Sequence, residues 1–383
     1  MKKIAVVTAT RAEYGLLSPL VKELRKSENG GLKVDLIVTG THLSDQYGKT
    51  IIEIKERIDY MIGIPVKSDS EQDISNNQAV TLIKFTELFL KENYNAIVLL
   101  GDRYETLAIA IAAGNTRCPI FHLCGGDTTE GALDEWIRHS ITKMSYLHFV
   151  TNEESRKRVI QLGENPERVF NYGSTSIDNI LDFADMSKTE ALASVELEEC
   201  SYALCTYHPV TMENEAVDIQ IESLLNAIET FPDIQFIVTK SNADQGGARI
   251  NELFEKADGK IANLHVFTSL GVRRYLSLMK YAEFVLGNSS SGIIEAPAFH
   301  VPTVNIGDRQ RGRLQAESIV NCGIGFEDIV AAIKKVLSEE HREVCRNIVS
   351  SYGKGCASEQ IAQRVIETVM NGRIDLKKKF YNL

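Results

Sequence analysis

The 383-residue chain has little with which to staple, chelate or anchor itself. Its seven cysteines (118, 124, 200, 205, 322, 345 and 356) are scattered, odd in number and without CxxC spacing. That pattern excludes a disulfide framework and a structural zinc site, and it fits reduced thiols in a cytoplasm. Cys205, inside YALCTY, reads as a small buried hydrophobe. No apolar run approaches the roughly 20 residues that span a bilayer, so a soluble protein with no membrane partner is expected. The start, MKKIAVVTATRAEYG, meets Arg11 and Glu13 too soon for a secretory signal and reads as a first buried strand. Formal charge is -10 with pI near 5.4 and the basic residues are dispersed, which excludes an electrostatic footprint for nucleic acid. Anionic ligands must therefore be met by local arginines and helix ends. Internal repeats are absent as well.

What is present is an ordinary globular composition, 44% hydrophobic and 25% charged, over a length that suits two domains of about 150 to 200 residues. Short apolar runs alternate with amphipathic segments of helical length: 4–10, 34–40, 95–102, 119–126 and 147–152, then 201–209, 234–242, 263–269, 282–290 and 302–307. Continuous apolar strands between helices predict parallel sheets buried on both faces. The expectation is an α/β protein of two doubly wound, Rossmann-like domains, 1–180 and 181–357, with the polar segment 184–199 as linker. Residues from about 358 to 383 would form a terminal helix and tail packing back on the first domain. A cleft between two such domains is the default ligand site.

Chemistry-bearing residues gather where predicted strands end. Phe121–Lys143, FHLCGGDTTEGALDEWIRHSITK, sets Cys124, Asp127, Asp134, Arg138 and His139 around a glycine turn. Asp134 and Arg138, four apart, could simply be a helix-face pair. LLGDRYE puts Asp102 and Arg103 just beyond a buried strand, where a carboxylate is costly unless partnered or used. TATRAEYG opens a helix after the first strand, and Arg11 there could reach an anion. It lacks the dinucleotide fingerprint. In the second half, GNSSSGIIEAP offers Ser289, Ser290 and Ser291 to a diphosphate at a helix start, with Glu295 placed for a ribose diol. Against this stands an ordinary serine cap with a solvated glutamate. His208 in TYHP, Asn242 and Asp244 in SNAD, and Arg309 and Arg313 in NIGDRQRGR end further strands, guanidinium groups being suited to diphosphate. No metal cluster or redox cofactor is called for.

Taken in order, RAEYG, VTGTHLSDQYGKTI, LLGDRYE, EWIRHSITKMSYLHF, RVIQLGE, TYHP, SNAD, GNSSSGIIEAPAF and NIGDRQRGR resemble the UDP-N-acetylglucosamine 2-epimerases over nearly the whole chain. The likeness is greatest to the hydrolysing enzymes of bacterial sialic-acid synthesis. The resemblance implies a GT-B architecture with the active site in the cleft between the domains, UDP held mainly by the second domain and the sugar facing the first. Ser289, Ser290, Glu295 and Arg309 would hold nucleotide and His208 would lie near the diphosphate. Arg11, His42 and Arg103 would face substrate, and Asp102 and Asp134 would be catalytic carboxylates. Relatives carry an acid/base residue, often Glu or His, where this chain has Cys124, and usually Glu where it has Asp127. The group that takes the C2 proton stays open among Cys124, Asp127 and Asp134. The implied reaction is UDP-N-acetylglucosamine plus water to N-acetylmannosamine plus UDP, by a homodimer or homotetramer. Three other readings share the motifs: the same hydrolysis of UDP-N,N'-diacetylbacillosamine in a legionaminic-acid pathway, reversible epimerisation without hydrolysis, and a non-catalytic sugar-nucleotide sensor. Intact Asp102 and Asp134 argue against the last.

Overall fold

The computed structural model describes residues 1–45, 49–66, 68, 70–129, 133–209, 217–241, 246–372 and 374–383, and its strands form two sheets. The first contains β1 (Lys2–Thr8), β2 (Leu32–Thr39), β3 (Tyr60–Ile62), β4 (Ala96–Leu100), β5 (Ile120–Leu123), β6 (Leu147–Val150) and β7 (Val169–Asn171), ordered β3-β2-β1-β4-β5-β6-β7. The second contains β8 (Tyr202–Thr206), β9 (Gln235–Thr239), β10 (Leu264–Phe267), β11 (Phe284–Gly287), β12 (Thr303–Ile306) and β13 (Ile319–Cys322), ordered β10-β9-β8-β11-β12-β13. Every pairing is parallel.

The central strands are mostly apolar because helices cover both faces, with His122 of β5 and His148 of β6 as buried exceptions. In the first sheet, helices 11–25 and 357–371 bury Leu17, Leu20, Ile361 and Val365 on one side. Helices 71–92, 104–115 and 134–144 bury Phe85, Ile109 and Ile141 on the other. The second sheet repeats the plan, with Ile221, Ile250 and Ile329 on one face and Leu192, Leu278 and Met279 on the other. Strand order reverses between β1 and β4 in one sheet and between β8 and β11 in the other. At such a reversal the connecting loops part and leave a crevice beyond the carboxyl ends of the strands.

Two compact units result. One comprises Met1–Asp127, Asp134–Asp178 and Tyr352–Leu383, the other Thr128–Leu133 and Asn179–Ser351. The segment 184–199, expected as a linker, is instead built into the second unit. Ser187 and Glu190 form a capping box on helix 188–193, which buries Ala191 and Leu192, with Val195 following. Three edge strands, β3, β7 and β13, were not expected from the sequence. Among the described residues no helix is long and apolar enough to cross a membrane.

Candidate active site

At the reversal in the first sheet, the turns after β1 and β4 lie side by side, since Ile4–Val6 pairs with Ala96–Val98. Thr10 caps helix 11–25 and Glu13 closes the capping box. Glu13 Oε2 accepts from the Ala9 N–H at 2.7 Å and the Thr10 N–H at 3.2 Å. Burial, reinforced by the negative charge of Glu105, pushes the Glu13 carboxyl up to about 8. In the neighbouring turn Arg103 Nε donates to Glu105 Oε1 at 2.9 Å. His42, expected to face substrate, is fully buried, with Nε2 3.1 Å from Thr8 Oγ1 and Nδ1 2.9 Å from Thr50 Oγ1. Burial drops its pKa to about 4, so the imidazole is neutral and braces a turn. Arg11 stands half-buried at the first turn of helix 11–25.

The turn after β5 is organised by Arg138, whose side chain is 1% exposed. Its guanidinium grips Asp102 Oδ2 through Nε at 2.9 Å and through a second, shorter bond from Nη2. Nη1 donates to the Asp127 carbonyl at 2.8 Å and to Glu135 Oε2 at 2.9 Å. The positive charge of Arg138 thus ties the β4 turn, the β5 turn and helix 134–144 together. The Asp127 side chain is held separately: Oδ1 accepts from Thr151 Oγ1 at 2.8 Å and Ser155 Oγ at 2.6 Å. Cys124 takes a left-handed conformation, φ 61°, uncommon for a residue with a side chain and a mark of functional turns. Gly126, φ 80°, has no room for a Cβ, which would strike the Ser155 carbonyl and lie 2.7 Å from Val159 Cγ2. Asp134 begins helix 134–144 and is half-buried. Under this turn His122 is completely buried, with Nε2 2.8 Å from the Gly101 carbonyl and burial dropping its pKa to about 4.

The second unit has its own cluster at the β8/β11 reversal, centred on the fully buried Asn288. Its amide accepts from the His208 N–H at 2.7 Å and donates to the His208 carbonyl at 2.8 Å. Its own carbonyl accepts from Gln310 Nε2 at 2.8 Å and Arg309 Nη1 at 3.2 Å. Gly287, φ 124°, permits this crossing because a Cβ there would strike the Thr206 carbonyl. His208 Nδ1 lies 3.1 Å from Ser241 Oγ, which sets the ring plane. Ser289 caps the short helix 290–294, Ser291 Oγ is 2.6 Å from the Tyr275 hydroxyl, and Glu295 follows at the helix end. Beyond β12 and β13 an open cavity of about 910 Å³ is lined by Arg311, Arg313, Ile324 and an amide chain in which Asn305 donates to Asn321 and Asn321 to Gln315. Arg313 Nε also donates to the Thr128 carbonyl at 3.2 Å.

The structure therefore brings Asp102, Cys124, Asp127, Asp134 and Arg138 to adjacent turns of the first unit, with Arg11 and Arg103 on the turns at the strand reversal. His208, the three serines, Glu295 and Arg309 share one cluster in the second unit, with Arg313 beside it. Asn242 and Asp244 lie outside the described residues. Sequence reasoning missed Asn288, although an amide following an apolar strand was a visible signal. It also missed the Asp127 supports Thr151 and Ser155, which nothing local to Asp127 announces.

A model of the family described as UDP-N-acetylglucosamine 2-epimerase matches residues 22–366. A Campylobacter jejuni GDP/UDP-N,N'-diacetylbacillosamine 2-epimerase (hydrolyzing) is 39% identical, over 89% of each chain. The Escherichia coli polysialic acid biosynthesis protein P7 is 38% identical, over 100% of this chain and 98% of that one. Among solved structures, the Neisseria meningitidis UDP-GlcNAc 2-epimerase bound to UDP-GlcNAc superposes with a TM-score of 0.82 at 20% identity, covering 96% of this chain and all of that one. That likeness places the two α/β units in the GT-B fold.

Proposed function

Because this chain belongs to the UDP-N-acetylglucosamine 2-epimerase family, we propose that it is a hydrolysing member that converts UDP-N-acetylglucosamine and water to N-acetylmannosamine and UDP. The observation that carries the reading is the buried Arg138 holding Asp102, the Asp127 turn and Glu135 at the ends of β4 and β5. Inverting C2 requires its proton to leave while the C1–O bond breaks and the electron pair departs with UDP, forming a C1=C2 double bond. Water then adds its oxygen to C1, and C2 receives a proton on the opposite face. One water is consumed and UDP and the free 2-epimer are released, so two acid/base positions are the minimum.

Asp102, bridged to Arg138, suits stabilisation of positive charge developing at C1. Asp134, at the first turn of its helix, is the proton-transfer group in this scheme, with Asp127 supporting and Cys124 the remaining candidate at C2. Ser289, Ser290, Ser291, Glu295, Arg309 and Arg313 would hold UDP, helped by His208, while Arg11 and Arg103 meet the sugar nucleotide. His42 would act only through the turn it braces. Charge leaving with the diphosphate is met by donors already in place, the usual source of such catalysis.

UDP-N,N'-diacetylbacillosamine is a second reading of equal standing, supported by the Campylobacter relative's printed activity and by the compact side chain of Cys124, which leaves room for a bulkier sugar substituent. Incubation with each UDP-sugar, followed by NMR, decides. Free UDP with a 2-epimerised sugar supports hydrolysis and the faster substrate names the reading, whereas a retained UDP-sugar epimer or no turnover overturns it. Asp102→Asn should abolish UDP release by about 10²-fold or more while UDP still binds in calorimetry. Light scattering of the purified protein tests the proposed homodimer or homotetramer.

A further inference from the structure

Two carboxyl groups at the first unit's strand reversal are not used by the chemistry above. Glu13 is 7% exposed and Glu105 1%. They stand on the adjacent turns after β1 and β4, each in the first turn of its helix. One oxygen of each is engaged: Glu13 Oε2 by two backbone N–H groups, Glu105 Oε1 by Arg103. The other oxygens, Glu13 Oε1 and Glu105 Oε2, are both buried and meet no donor among the described residues. Two ionised carboxylates cannot satisfy each other, since both only accept. Glu105 is close enough for its charge to raise the Glu13 carboxyl, and a single proton held by the pair removes one of the two buried charges.

We propose that Glu13 and Glu105 hold one proton between them, carried by Glu13, and that the pair's single negative charge, on Glu105, fixes Arg103 in the crevice beyond β1 and β4. Glu13 is then a positioning residue. The charged groups that act on it are Glu105 and Arg103, both from the β4 turn. Asp102, on the same β4 turn, is held by Arg138. Burial and the charge of Glu105 raise the Glu13 carboxyl, while Arg103 and the two N–H groups oppose. Loss of the shared proton would leave two like charges in a dry site, and the cheapest relief is movement of the turn or of Arg103. The shared proton stands on the two turns alone; the catalytic consequence rests on the proposed reaction.

Two measurements separate these parts. Infrared difference spectra of the wild-type protein should show a protonated carboxylic acid C=O band at neutral pH that titrates near 8 and is missing in Glu13→Gln. A band that survives unchanged in that variant, or no band, overturns the shared proton whether or not any substrate turns over. Glu13→Gln keeps an oxygen for the Ala9 and Thr10 N–H groups and an N–H₂ for Glu105, so it mimics the protonated pair. In kinetics, wild-type kcat/KM should fall about tenfold per pH unit above the titration, mainly through KM. Glu13→Gln should stay within about threefold of wild type at neutral pH and lose that alkaline limb. An identical limb in both proteins overturns the positioning role.

Discussion

Arg138 shows how one side chain can determine a site. Nearly its whole surface is buried, and its charge is balanced by Asp102 and Glu135. Arg138→Met would strand those carboxylates, and breaking a buried ion pair from one side costs about 3–5 kcal/mol. Urea unfolding should show that loss, and UDP-sugar turnover should vanish because Asp102 loses its tether. Cys124 makes the opposite prediction. Its left-handed backbone costs about 1–2 kcal/mol with a Cβ present, so Cys124→Gly should leave stability unchanged or raised in thermal melts while Cys124→Val lowers it. At this scale the sequence was informative where polar residues broke an apolar run, as at Asp102 and Asp127. It was silent on partners contributed from elsewhere in the chain. Arg138 was visible as a helix neighbour of Asp134 and Glu135, but its bond to Asp102 spans 36 positions and exists only once β4 and β5 are paired.

Elements were legible in proportion to their burial. The central strands are buried on both faces and announce themselves as apolar runs. The missed strands β3, β7 and β13 are three or four residues long and lie at sheet edges. With a neighbour on one side only, they need no continuous apolar stretch, and polar residues such as Asn171 and Asn321 sit in them without penalty. The supposed linker failed for a related reason. Its overall polarity hid a capping box, Ser187 with Glu190, that starts a helix burying only two residues. Ser187→Ala should lower the stability of the second unit by about 1 kcal/mol, readable by hydrogen exchange of helix 188–193. Turns carry more weight than their length suggests: Gly126→Ala should cost 2 kcal/mol or more, through strain at positive φ and the clash with Ser155. Because Ser155 also supports Asp127, turnover should fall with stability.

Over the whole molecule, buried titrating groups set a pH window. His42 and His122 have native pKa values near 4, below the ordinary 6.5. Their neutral forms are favoured by folding, so their contribution is complete above 6.5 and is lost as pH falls to about 4, roughly 3 kcal/mol each at most. Glu164 extends the loss. Burial alone would raise it, but His148, Lys143 and Lys378 hold it near 2, so its contribution disappears from 4.5 downward. Glu13 acts in the other direction, its folded pKa raised from 4.5 to about 8, so its contribution is lost as pH rises between those values. Urea midpoints measured across this range should therefore fall on both sides of a maximum, and Glu13→Gln should flatten the alkaline side. A wild-type profile that still rises between pH 6.5, where the histidine contributions are complete, and pH 8 would contradict this assignment.

The tail belongs to the same picture. Lys378 donates to the Lys143 and Ser145 carbonyls at 2.8 and 2.7 Å and pairs with Glu164, while Phe380 lies against Gly163. It thus secures the far end of the helix that carries Asp134 and Arg138. Together with helix 357–371, these late residues complete a unit whose strands are all made in the first half of the chain. On the ribosome, β1 to β7 would emerge with part of one sheet face still bare, since Ile361 and Val365 cover it only after residues 179–351 have been synthesised. The unit translated first is therefore the one finished last, and a chaperone would meet it as an open sheet awaiting its final helix.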